Sequence, residues 1–279
     1  MSGRLFLVST PIGNLGDLSP RAADTLRRCA LICCEDTRHT RHLLTHAGIS
    51  GAHLVAADEH SEAARIPEVL AELDAGRDVA VVTDAGTPGI SDPGGRLVRA
   101  VLDAGHQVSA VPGPAALVMA LVTSGFDTSR FVFEGFLPRS GRARTERLDD
   151  IATERRTVIL HESPHRVERT VADLAASCGP DRRIALAREL TKMYEEIWRG
   201  TLGDAIDHLA ARAPRGEYVL VVEGAAPPPP RDDDAILVAL DHELRSGADR
   251  RRAVAAVVAS TGAARRRVYD LALTIPRHV

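Results

Sequence analysis

Aromatic residues make up only 3% of these 279 residues, so Ala, Val and Leu must fill the interior and each of the few rings becomes informative. Lysine is nearly missing too. Of the 35 basic residues all but Lys192 are arginine, which leaves one side chain able to give up its charge at a modest pKa. The four cysteines, Cys29, Cys33, Cys34 and Cys178, form no CxxC pair and no Cys/His spacing suited to zinc, so no metal is expected and a reducing compartment fits them. Neither phosphate-cradling pattern, GxGxxG or GxxxxGK[ST], occurs, which removes support for a dinucleotide or nucleoside triphosphate. Long apolar runs are absent as well. The opening MSGRLFLVSTPIG holds a stretch too short for a signal peptide, and no segment approaches a membrane span, so a soluble cytoplasmic protein is expected.

What is present is an α/β rhythm. Short apolar runs at 5–9, 31–35, 53–56, 79–83 and 108–111 alternate with amphipathic stretches at 21–28, 39–46, 62–73 and 96–104, which predicts a mostly parallel sheet covered on both faces. The turn Val111-Pro112-Gly113-Pro114 breaks that rhythm, and an apolar helix follows at 115–122. Strands are then expected at 130–135, 157–162, 183–189, 197–201 and 218–223, spaced too closely in places for strict β-helix-β units. A mixed sheet is the expected second domain. The arginine-rich PRSGRARTER at 138–147 reads as an exposed loop leading into a helix. GAAPPPPRDDD at 224–234 reads as a stiff linker, and three short helices follow at 235–245, 252–258 and 264–273. The last two, joined across Ser260-Thr261-Gly262, have the form of a helix-turn-helix, although small helical tails also brace dimers. The expected domains are therefore 1–112, 113–225 and a linker with basic helical tail at 226–279. From Arg245 onward eight arginines face two aspartates, a net +6 on a chain whose total is −3, which suggests a polyanionic partner.

The segment most suggestive of a site is VTDAGTPGISDPGG at 82–95. Six Gly and Pro follow the end of a buried strand, where open α/β sheets bind ligands and where small residues let the backbone come close to one. A small dipolar cofactor fits such a loop better than a polyphosphate.

Seven segments together resemble the tetrapyrrole-methylase superfamily: LFLVSTPIGNLGDLSPRA (5–22), CEDTRHTRHLL (34–44), VTDAGTPGISDPG (82–94), VPGPAALVMAL (111–121), ESPHRV (162–167), RELTKMYEEIWRGTL (188–202) and EYVLVVEG (217–224). The likeness is greatest to its bacterial 16S ribosomal RNA methyltransferase I subgroup. The resemblance implies two α/β domains of the tetrapyrrole-methylase type around a cleft for S-adenosylmethionine, a small C-terminal helical module, and a homodimer. It implies methylation of a cytidine ribose 2′-hydroxyl in 16S rRNA at the decoding centre, with the RNA, free or within the small ribosomal subunit, as partner. Carried over residue by residue, Pro11, Ile12, Asp84, Ala85, Gly86, Thr87 and Ile90 would surround the cofactor. Ala115 and Ala116 would offer helix N–H groups to its carboxylate, and Leu190 and Gly216 would line the adenine site.

Methyl transfer needs an acceptor held in line and a way to lose a proton. Lys192 qualifies as a base if desolvation or Arg188 lowers its pKa, or as a cation for the developing alkoxide if it stays protonated. Glu35 and Asp36 are the rival bases, against the simpler reading that they cap a helix beginning near Thr37. Arg38, His39, Arg139, Arg142, Arg144, Arg188 and the tail residues Arg265, Arg266 and Arg267 are the expected RNA contacts. His161, Glu162, Ser163 and His165 hold the ingredients of a hydrolytic triad, but crowded into five residues without a nucleophile elbow. Two other functions share parts of this pattern: a precorrin-type C-methyltransferase, which needs no basic tail, and a non-catalytic helix-turn-helix regulator, which needs the tail above all.

Overall fold

The first sheet follows from five short, largely apolar strands. In the computed structural model, which describes residues 3–226 and 232–275, they are β1 (Arg4–Val8), β2 (Leu31–Cys34), β3 (Leu54–Ala56), β4 (Val79–Val82) and β5 (Gln107–Val111). All pair in parallel, in the order β3-β2-β4-β1-β5. Of these, β2 and β4 are buried throughout, and β5, at the edge, is mostly half-buried or exposed. The helices between them are α1 (Pro20–Arg28), α2 (Thr37–His46), α3 (Glu62–Asp74) and α4 (Gly95–Asp103). Alternate side chains of the strands feed two apolar clusters, one with Leu26 and Leu44, the other with Val69, Leu73, Leu97 and Val101. Each such side chain, fully buried, contributes about 1.5–3 kcal/mol. Cys29, Cys33 and Cys34 are buried among them, and burial pushes the Cys29 and Cys33 thiols up to about 12, so they act as small hydrophobes.

The turn at Val111-Pro112-Gly113-Pro114 marks the passage from the first sheet to the second. Beyond it lie α5 (Ala116–Ser124), β6 (Phe131–Gly135), α6 (Arg142–Thr153), β7 (Thr157–Glu162), α7 (Val167–Cys178), β8 (Arg183–Arg188), β9 (Glu196–Thr201), α8 (Leu202–Ala210) and β10 (Tyr218–Val222). The sheet order is β6-β7-β10-β8-β9, parallel only between β6 and β7. One face packs against α6, α7 and α8. The other packs against α5, joined by Ile12 from the loop after β1, so the two sheets share an apolar seam. Both sheets belong to one compact unit, Met1–Gly224.

Ala225–Val279 form a second compact unit. Its described helices are α9 (Asp233–Arg245), α10 (Arg250–Thr261) and α11 (Arg265–Thr274), packed around Ile236, Leu240, Val254, Val257 and Val268. Gly262, with φ of +66°, caps α10 and opens the turn into α11. The four consecutive prolines expected to stiffen the linker lie outside the described residues. The unit's charge corrects the expectation of a strongly basic tail. Nine arginines meet seven acids across 225–279, because α9 brings the acidic residues that balance α10 and α11. Arg267 pairs with Asp233 at 2.7 Å and Arg245 with Asp241 at 2.8 Å.

Candidate functional site

Loops that leave the parallel strands meet the ends of the central strands of the second sheet around a cavity of about 300 Å³. That is the lower end of small-molecule sites. Ile12 comes from the loop after β1, and Ala85, Gly86, Thr87, Ile90, Ser91 and Asp92 from the loop after β4. His161 to Pro164 come from the end of β7, Leu190 from beyond β8, and Glu217 to Val219 from the start of β10. Gly86 exchanges two backbone hydrogen bonds with Thr10 at 2.9 and 3.1 Å, which seats the loop after β4 against the loop after β1. Its φ of +83°, a conformation that L side chains rarely adopt, explains why glycine stands there.

Ala115, Ala116 and Leu117 line the cavity at the start of α5. Ala115, the N-cap residue, makes no side-chain capping bond, so the first N–H groups of α5 meet the cavity without a protein acceptor. An uncapped helix N-terminus at the wall of such a pocket fits a carboxylate-bearing ligand. The His161 Nε2, buried and without a partner, adds one polar group inside the same wall. Its ring stands edge-on to Phe133 and Phe136, and burial lowers its pKa against the opposing charge of Glu217, so the imidazole is neutral.

The loop from 84 to 94 is held at its far end by α3. Glu62, a buried residue, accepts N–H bonds from Gly94 at 3.1 Å and Leu97 at 2.9 Å, and so caps α4, whose own cap position is glycine. Between these anchors the backbone passes through left-handed positions at Gly89 (+84°), Ser91 (+62°) and Gly94 (+130°).

Of the residues expected to surround the cofactor, Ile12, Ala85, Gly86, Thr87, Ile90, Ala115, Ala116 and Leu190 line the cavity. Pro11 precedes one of them, and Asp84 sits behind the loop, accepting the Asp36 N–H at 3.1 Å. Gly216 stands beside Glu217, with φ of +76° and an added Cβ only 2.4 Å from Glu189 Cγ. Asp92, Phe136, Glu217 and Tyr218 also line the cavity, though sequence reasoning named none of them as site residues, and so does His161, which it named only as an ingredient of a hydrolytic triad. Asp92 and Glu217 lay within the motifs at 82–94 and 217–224, but no spacing singled them out.

The expected catalytic residues divide. Asp36 is the N-cap of α2, accepts the Arg38 N–H at 2.7 Å and pairs with the Arg38 guanidinium, which holds its carboxyl down at about 2. That is the capping role, and it leaves Asp36 a poor base. Glu35 accepts the Asp84 N–H at 3.4 Å, and burial raises its pKa. Lys192 Nζ donates to Glu189 and Glu217, both at 2.9 Å. Burial alone would lower its pKa, but the two carboxylates outweigh burial and raise it. The neutral-amine role is therefore corrected: Arg188 does not act on Lys192 but is taken up by Glu196 at 3.1 Å, and Lys192 stays an ammonium.

The expected RNA contacts divide too. Arg38, His39, Arg139, Arg142, Arg265 and Arg266 are exposed. Arg144 is not: it lies in α6, buried, and donates to Asp173 at 2.8 Å, the Pro138 carbonyl at 2.9 Å and the Thr170 hydroxyl at 3.1 Å. The stretch read as an exposed loop becomes helical from Arg142 because Arg144, Leu148 and Ile151 share one buried face. Arg188 is likewise mostly covered, and Arg267 is paired with Asp233.

The sequence profile described as Tetrapyrrole (Corrin/Porphyrin) Methylases matches residues 4–206, from β1 into α8 and so every strand but β10. Among curated proteins, "Ribosomal RNA small subunit methyltransferase I" of Synechocystis is 45% identical over 277 residues, 98% of each chain. The protein of the same name from Thermotoga maritima is 44% identical over 222 residues, which make up 80% of this chain but 99% of that one. Among solved structures, uroporphyrin-III C-methyltransferase of Thermus thermophilus complexed with S-adenosylhomocysteine aligns at TM-score 0.57 and 18% identity. It covers 79% of this chain and 97% of that one, a likeness of fold. This chain belongs to the tetrapyrrole (corrin/porphyrin) methylase family.

Proposed function

We propose that this chain uses S-adenosylmethionine to methylate the 2′-hydroxyl of a cytidine ribose in the 16S rRNA of the small ribosomal subunit. The observation that carries this reading is the 45% identity, over 98% of both chains, to a relative named as a small-subunit ribosomal RNA methyltransferase. When bound, S-adenosylmethionine supplies a methyl group activated on a sulfonium sulfur.

The residues present fit that cofactor. The free N–H groups at Ala116 and Leu117 would receive its carboxylate. Pro11, Ile12 and the loop from Asp84 through Gly86, Thr87 and Ile90 would enclose its amino-acid portion and ribose, and Leu190 with Gly216 would border the adenine. With the cofactor bound, these walls would shield the reacting groups from water and hold the acceptor near the activated methyl group, and such positioning can supply most of the acceleration. Lys192, kept charged by Glu189 and Glu217, serves as the cation at the rim, able to meet a phosphate or a developing oxyanion. Exposed Arg38, His39, Arg139 and Arg142 would position the RNA backbone, with Arg265 and Arg266 adding contacts from the helical unit. The homodimer belongs to the same proposal. Val118, Met119 and Val122 leave apolar surface on one face of α5, as a subunit contact requires.

The test is transfer of radiolabelled methyl from S-adenosylmethionine to small ribosomal subunits lacking decoding-site methylation, followed by nuclease mapping. Label in a 2′-O-methylcytidine is the expected result. Cofactor binding without transfer to subunits or to free 16S rRNA would overturn the substrate.

A further inference from the structure

Asp92 reaches the cavity wall at the tip of a constrained loop. Ser91 before it has φ of +62°, a conformation L-residues avoid unless the surroundings impose it. Here the Gly89 N–H donates to the Pro93 carbonyl at 3.0 Å, and Glu62 fixes the chain two residues beyond Asp92, at Gly94. The acids that face Asp92 are Glu35 after β2, Asp84 after β4 and Glu217 before β10. Glu217 is engaged with Lys192, Glu35 accepts from the Asp84 N–H, and Asp84 accepts from the Asp36 N–H. No ion pair among the described residues involves Asp92, and its polar partner is the Thr83 hydroxyl. Of the other carboxyls lining the cavity, Glu217 is held by Lys192, and Glu162 is bound by Thr170, Ser163 and Arg166. Among the described residues, Asp92 is thus the cavity carboxyl with no cation or N–H group holding its charge. Burial first, then the like charges of Glu35, Asp84 and Glu217, push it up to about 7 against the pull of Thr83. A group balanced there can take a proton at neutral pH and release it again.

We propose that Asp92 is the general base of this site, accepting the proton of the ribose hydroxyl as the oxygen bonds to the methyl carbon. The inference rests on the methyl-transfer reading above. An oxygen lone pair makes the new O–C bond, and the pair of the broken C–S bond stays on sulfur, which becomes a neutral thioether. The O–H pair remains on oxygen, and the proton passes to the Asp92 carboxylate and then to water. Lys192 remains protonated throughout.

The test compares the full-length wild type with Asp92→Asn and Asp92→Glu. Without cofactor, infrared titration of the wild type should show a carboxylic-acid band lost between about pH 6 and about pH 8, missing in Asp92→Asn. Calorimetry should give Asp92→Asn a cofactor affinity within about threefold of wild type, while its single-turnover transfer rate falls about 10²- to 10⁴-fold and loses its dependence on an ionisation near neutrality. Asp92→Glu should recover part of the rate and keep the ionisation. A rate for Asp92→Asn within about threefold of wild type, or an unchanged pH profile, overturns the proposal. If wild type binds cofactor but labels no ribosomal RNA, the reading beneath the proposal fails and takes it down too, a result distinct from an active Asp92→Asn.

Discussion

Single side chains at this site are decided by what they are paired with. Arg144 shows it: four arginines of 139–147 look alike in sequence, yet one is buried with three acceptors and the others are not. The distinguishing signal was helical phase, i, i+4, i+7 with Leu148 and Ile151, hidden by the Gly and Ser just upstream that read as loop. Arg144→Met should therefore lower stability in urea by about 3 kcal/mol, since Asp173 and the Pro138 carbonyl lose a buried partner. RNA affinity of the folded fraction should not change. Weaker RNA binding at full stability would return Arg144 to the interface. Asp92 makes an opposite prediction. Its folded carboxyl holds a proton up to about 7, whereas the unfolded one releases it near its ordinary value of 3.8. Between those limits the folded state binds more protons, so stability declines as pH rises and the full penalty stands above neutrality. Asp92→Asn removes the penalty and should be more stable than wild type by about 1–2 kcal/mol at pH 8, after allowance for solvent screening of a half-buried group, with the gain vanishing near pH 4. Urea titrations at the two pH values check it. A gain independent of pH would mean the carboxyl is not the source.

The elements themselves were legible, because apolar runs of four to six residues separated by amphipathic stretches leave few alternatives to strands and helices. The mixed character of the second sheet was legible from its closely spaced strands. Its order was not: β10, last in the chain, sits between β7 and β8, and such pairing depends on residues far apart in sequence that local pattern does not encode. The anchoring of the site loop was hidden for the same reason. Glu62 begins α3 in sequence, where an acid suits any first turn, but its carboxylate caps α4 more than thirty residues away. Glu62→Ala should cost about 2–3 kcal/mol, since two N–H groups lose a charged acceptor in the interior. Because it also frees the end of the 84–94 loop, it should weaken S-adenosylmethionine binding in calorimetry. Loss of stability with cofactor affinity intact would mean that the Gly86–Thr10 bonds alone hold the loop.

At the scale of the whole molecule the question is what the C-terminal helices add to a body that already contains both sheets and the cavity. The Thermotoga maritima relative is matched over 99% of its length by 80% of this chain, so about a fifth of this chain has no counterpart there. That relative is thus a much shorter chain. The charge balance points the same way, for α9 adds four acids to the unit, Arg267 pairs with one of them, and Arg265 and Arg266 are the exposed pair on α11 in no ion pair among the described residues. Ending the chain at Gly224 should leave S-adenosylmethionine affinity unchanged. If Arg265 and Arg266 each neutralise one phosphate, their removal would reduce the slope of log K against log salt for rRNA binding by about one to two. The +6 read from the last 35 residues alone would instead predict a fall of about four to five. Filter binding of the full and shortened chains across a salt series separates the two values: the larger one would make the helical unit the principal grip on RNA, and the smaller one assigns most of that grip to the body around the cavity.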